Sequence, residues 1–386
     1  MDREGHDFSR AFKSLISRRA LAPEAMRSRR AVRRCLPFSL ILFIALTLSA
    51  TAQTQPASSA SACLSCHRAQ TIDQPLTPMG RALMLPGTNP VVKDHPKLTV
   101  RKGDYSYTVE THGDNTTYSV TDGARTISIP VRWSFGLGGQ TWILEHDGEL
   151  YESLVSYYPN VGGLDTTIGD ERIVPHTLDE AMGRKLAPGE TKACFGCHAT
   201  TAVHDRKLTI ETMKPGVTCE HCHAGANTHL LDAIQGEFST APPKLGQLSS
   251  EDLSNFCGQC HRTWESVVRG HFHGEINVRF QPYRLANSKC FDGTDPRISC
   301  VACHDPHKNV VREDSTYDPK CLACHGSAEH PASTQTASAT AQPKACPLAK
   351  ANCVSCHMPK VQLPGGHMTF TDHEIRIVKP GDAYPN

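Results

Sequence analysis

Seven short segments of this chain read Cys-x-x-Cys-His, and nothing else in its 386 residues constrains the fold as strongly. They are Cys63/Cys66/His67, Cys194/Cys197/His198, Cys219/Cys222/His223, Cys257/Cys260/His261, Cys300/Cys303/His304, Cys321/Cys324/His325 and Cys353/Cys356/His357. Together they use 14 of the 17 cysteines. Two thiols three positions apart can add to the two vinyl groups of one haem, and the histidine that follows then lies beneath the iron as its proximal ligand. Zinc knuckles also pair cysteines in this way but do not require histidine after every pair. Thioredoxin-like dithiols come singly in a strand–helix context. Seven repeats of the complete motif therefore predict seven covalently attached haems c.

The N-terminus agrees with attachment outside the cytoplasm. Arg27, Arg29, Arg30, Arg33 and Arg34 form a basic region, an apolar run spans Leu36 to Ala50, and Ala50-Thr51-Ala52 fits a small-x-small cleavage site. Residues 1–52 read as an export signal, which predicts a periplasmic or extracellular protein. No second long apolar segment follows, so the mature chain is expected to have no membrane span. Past residue 52 the chain has 30 basic and 35 acidic side chains, a net charge of −5, and this excludes nucleic acid as an expected partner.

The motifs are unevenly spread. Residues 53–95 form a first haem segment with one motif. Residues 161–386 form a six-haem segment, in which six motifs fall within 164 residues, about 27 residues per haem. So few residues cannot build an ordinary core around each cofactor, so the haems themselves must serve as the core. Between these segments, residues 96–160 change character. Tyr105, Tyr107 and Val109 alternate with polar residues, as do Ile127, Ile129, Val131 and Trp133, and then Trp142 and Leu144. Gly103-Asp104, Gly113-Asp114-Asn115, Asp122-Gly123 and Asp147-Gly148 punctuate these runs, which predicts a small antiparallel β domain. The expected fold is thus mostly α and irregular, packed around haem, with that β domain inserted near the N-terminus. Residues 331–344, rich in Ala, Ser, Thr and Gln, read as a surface loop.

The haem-rich half resembles the multihaem cytochrome family typified by the tetrahaem cytochrome c of ammonia oxidisers, and its larger relatives with many Cys-x-x-Cys-His motifs. The resemblance lies in Gly216 through His223 with His229 beyond, in Ser299 through His307, and in Cys353 through Lys360 followed by Phe370-Thr371-Asp372-His373. It implies electron transfer between partner redox proteins, and it implies second imidazole ligands at His229, His307 and His373. His204, His271, His330, His367 and His176 are further distal candidates. Met79, 12 residues after His67, is a candidate thioether ligand. The competing expectation is a reductase of nitrite, hydroxylamine or a sulfur oxyanion at one open-coordination haem. No Cys-x-x-Cys-Lys variant, used by some such enzymes, occurs. Cys290 and Cys346 belong to no motif, and an oxidising compartment predicts a disulfide between them.

Overall fold

The computed structural model describes residues 59–326, 346–379 and 381–385. The expected export signal therefore lies outside the described residues, as do His330 and the expected loop at 331–344.

Nine antiparallel strands form one sheet: β1 (Leu83–Met84), β2 (Lys97–Lys102), β3 (Tyr105–His112), β4 (Asn115–Thr121), β5 (Thr126–Phe135), β6 (Gln140–His146), β7 (Glu149–Tyr158), β8 (Gly163–Thr166) and β9 (Gly183–Lys185). Strands β2 to β8 follow one another in sequence order, with β1 added to β5 and β9 to β7. Lys102 of β2 pairs with Asp165 of β8, which brings the two ends of the meander together and nearly closes the sheet. Two-residue turns join β2 to β3, β3 to β4 and β6 to β7, and four-residue turns make the other connections between β2 and β8. At the β6–β7 turn Asp147 and Gly148 both have positive φ, +50° and +76°, the conformation a type I′ hairpin demands.

The expectation of a mostly α fold with a small inserted β domain is overturned by this sheet. It is the dominant element of the structure and runs from Leu83 to Lys185, well past the stretch expected to be β. The missed strands β1, β8 and β9 are two to four residues long and are too short to show alternation in sequence. The helices are correspondingly modest, the longest among the described residues being Ser250–His261 with 12 residues.

One apolar core fills the inside of the sheet, with Tyr107, Val109, Tyr118, Val120, Ile129, Val131, Trp142 and Leu144 all buried. A second core lies against its outer face: Leu83, Trp133, Phe135 and Ile143 pack with Leu186, Phe195, Ala199 and Ala202. The change of face depends on a register shift in β5. Val131 points inward, yet Trp133, two residues later, belongs to the outer core because a bulge separates them. The sheet thereby presents two aromatic rings to the helix Pro188–His198, which carries the second motif. Phe195 is fully buried edge-on to Trp133 and Phe135, with centroids 5.1 and 5.2 Å away.

Candidate functional site

All seven motifs open onto one continuous cavity of about 5000 Å³, lined by their 14 cysteines and the seven histidines that follow them. A pocket for one small ligand measures roughly 300–1,000 Å³, so this space suits several large groups. Its walls come from short helices that each contain a motif, among them Cys219–Cys222, Ser250–His261, Cys300–Cys303, Asp318–His325 and Cys353–His357.

Contacts between thiols of different motifs show how these segments are ordered in space. Cys63 lies beside Cys219, Cys197 beside Cys260, Cys257 beside Cys300, and Cys321 beside Cys353. Cys222 also lies within electrostatic reach of Cys257 and Cys260, and Cys303 within reach of Cys321. The motifs thus run first, third, fourth, fifth, sixth, seventh, with the second set beside the fourth.

The donor set fits haem iron. Nδ1 of His198 meets the Ala82 carbonyl at 2.9 Å, and Nδ1 of His357 meets the Arg376 carbonyl at the same distance. A carbonyl oxygen only accepts, so Nδ1 carries the hydrogen and Nε2 is the nitrogen left for a metal. Phe135 stacks on the His198 ring at 4.8 Å, so the outer face of the sheet orients this imidazole directly. Burial lowers the pKa of His198, His223, His261 and His304, and takes His373 down to about 4. Each is neutral at pH 7, the form that ligates metal.

Two pairs of imidazoles face each other across the cavity. The rings of His223 and His307 lie 6.1 Å apart between centroids with planes parallel to 5°, and those of His304 and His373 lie 6.1 Å apart at 47°. Two imidazoles sharing one metal through Nε2, at about 2.0–2.1 Å per bond, put their centroids roughly 6 Å apart. Nδ1 of His307 is held by Asp305 and Nδ1 of His373 by the Thr371 carbonyl, both at 3.0 Å, which leaves Nε2 of each as the nitrogen without a hydrogen.

Of the residues expected as distal ligands, His229, His307, His373 and Met79 line the cavity. His229 keeps a buried Nδ1 with no hydrogen-bond partner. His176, His204, His271 and His367 lie outside its walls. His367 instead bonds Asp165 through Nε2 at 2.9 Å and packs on Tyr158, fastening the hairpin Lys360–Leu363/Met368–Thr371 to the sheet. His221, inside the third motif between its two cysteines, and Met358, directly after the seventh, also line the cavity, although sequence reading passed over both. The signal was present, since a residue adjacent to a motif cysteine or histidine can scarcely avoid the cofactor space. Cys290 and Cys346 line the cavity as free thiols, without the expected disulfide.

Met79 and its neighbours join the first and third motifs. The Val217 amide donates to the Met79 carbonyl at 3.0 Å, and Gln74 Nε2 donates to the Val217 carbonyl at 2.6 Å. The approach is close enough that a Cβ at Gly216, where φ is +76°, would lie 2.0 Å from the Gly80 carbonyl oxygen. Only glycine fits there.

Residues 174–224, which hold the second and third motifs, match the family described as cytochrome c554 and c-prime. A c-type cytochrome is what this match supports. The outer cell wall cytochrome OcwA is similar in structure over 82% of this chain and 79% of its own, with a TM-score of 0.45 and 15% identity. No curated protein matches. Among the described residues, no helix is long and apolar enough to cross a membrane.

Proposed function

We propose that this chain is an exported cytochrome that carries seven haems c and passes electrons between redox proteins outside the cytoplasm. The observation that carries the reading is the convergence of all seven motifs on one cavity, with His223 facing His307 and His304 facing His373 at the separation two axial imidazoles need. In this reading the motif cysteines hold the haems, the seven motif histidines are proximal ligands, and His307 and His373 complete the third and fifth sites. Bound haem iron supplies a reversible one-electron couple whose potential follows axial ligation, hydrogen bonding and burial. The protein orients imidazoles through the Ala82, Thr371 and Arg376 carbonyls, and burial keeps His198 and His373 neutral. The run of touching motifs gives the order of the path, and the second motif beside the fourth gives it a branch.

Intact-mass measurement on the denatured, fully matured protein tests the reading. Seven covalent haem additions are expected; six or fewer would refute it. A second reading, reduction of a small oxyanion at one iron, gains support from the supply of ligands. Among the described residues only four non-motif histidines, His221, His229, His307 and His373, line the cavity for seven motifs.

A further inference from the structure

Among the described residues, Arg262 and Arg279 line the cavity without a carboxylate partner, and one pair of aromatic rings holds both. Arg262 directly follows His261 of the fourth motif, and Arg279 ends the 3-10 helix Glu275–Arg279. The Arg262 guanidinium carbon sits 5.6 Å from the centre of the Phe272 ring, and that of Arg279 sits 5.8 Å from the centre of Phe280. Phe272 and Phe280 themselves meet edge to face at 5.4 Å. The two cations are therefore fastened to opposite members of one aromatic pair, which holds each in place without neutralising it.

Among the described residues neither guanidinium has a carboxylate partner. The contrast with Arg284 is direct, because that buried arginine is met by both Asp372 and Glu374. Arg262 also adopts φ +66°, a left-handed conformation that costs a non-glycine residue free energy and persists only where its surroundings impose it. Both are exposed on the cavity wall and their like charges disfavour one another, so an anion that meets both guanidinium groups is stabilised there. Their position is defined by what they act on. Arg262 bears on the Cys197 thiol and Arg279 on the His198 imidazole, both of the second motif.

We propose that Arg262 and Arg279 form an anion-binding site at the junction of the second and fourth motifs, which takes a carboxylate or a small oxyanion. The planar, multi-donor guanidinium suits bidentate capture of either group. Two sources supply that chemistry, the propionate of an attached haem and a free oxyanion from solution. Only the first source rests on the haem reading above.

The test uses the mature, haem-loaded protein, with Arg262→Gln, Arg279→Gln and Arg279→Lys variants whose haem content is checked by intact mass. Each is titrated with inorganic phosphate by calorimetry, and its midpoint potentials are followed spectroscopically with and without phosphate. Positive charge near iron favours the reduced state, so loss of either arginine should lower the midpoint of one or two haems. Arg279→Lys should recover most of that shift. A lowered midpoint that ignores phosphate assigns the site to a propionate. Saturable phosphate binding by the unaltered protein, weakened tenfold or more in Arg279→Gln, assigns it to a free oxyanion. Fully haem-loaded glutamine variants with unchanged midpoints and unchanged phosphate heats would overturn the proposal. A wrong haem count in the unaltered protein would instead refute the haem reading, and the phosphate titration would still report on the arginines.

Discussion

Replacing Asp372 with asparagine removes one charge from the most deeply buried ion pair among the described residues. Arg284 and Asp372 are 1% and 0% exposed, joined by Nε to Oδ1 at 2.8 Å and Nη2 to Oδ2 at 2.9 Å. The same carboxylate also accepts from the Arg376 guanidinium and the Glu374 amide. This arrangement fixes residues 372–376, and two imidazoles depend on that segment. His373 extends from it toward His304, and the Arg376 carbonyl accepts from His357. Breaking a buried pair by neutralising one partner costs about 3–5 kcal/mol. Glu374 still meets Arg284 at 2.7 Å and offsets part of that cost, so the lower end, about 3 kcal/mol, is expected. At roughly 2–4 °C per kcal/mol, the melting temperature should fall on the order of 10 °C. Thermal melts followed by circular dichroism read the stability, and paramagnetic resonance of the oxidised protein reads the fifth and seventh haems. If Asp372→Asn melts within about 2 °C of the unaltered protein and leaves every haem signal in place, the argument that this pair holds both ligands is wrong.

Other variants test separate parts of the account. Phe195→Ala empties the space between Trp133 and Phe135 and should cost about 3–5 kcal/mol, measured by thermal melting, with loss of order at the second motif. Gly216→Ala should separate Val217 from Met79 and perturb the first and third haems together in resonance spectra, while Gly189→Ala, where a Cβ meets nothing within 4 Å, should not. Burial, then the charge of Glu152, raises the Asp170 pKa to about 6. The folded state therefore holds this proton more tightly than the unfolded chain, and stability from this group is present below about pH 4 and lost as pH rises through 6. Melts of Asp170→Asn should lack that decline, and the variant should exceed the unaltered protein in stability above pH 6. His307→Ala should convert one low-spin haem to a high-spin form that binds carbon monoxide, with the haem at His304 unaffected.

The motifs were legible because each is complete within five consecutive residues. The central strands were legible too, since Tyr107, Val109, Ile129 and Trp142 alternate inward over runs long enough to show period two. The extent of the sheet was not, because β1, β8 and β9 are recruited by pairing to β5 and β7 and carry no pattern of their own. Longer-range relations were equally hidden. His223 finds His307 across 84 residues and Arg284 finds Asp372 across 88, and no local propensity encodes either meeting. His367 shows the converse: its type and position matched a ligand, but Asp165 and Tyr158 engage it at the sheet instead.

The central claim is that the motifs place their haems in one connected path, and electron redistribution after photochemical injection of a single electron tests it most directly. With all haems oxidised at the start, spectra should show the electron spreading among haems of different potential at a rate independent of protein concentration. Redistribution whose rate rises in proportion to protein concentration would mean that electrons pass between molecules rather than along the chain, and would contradict the account.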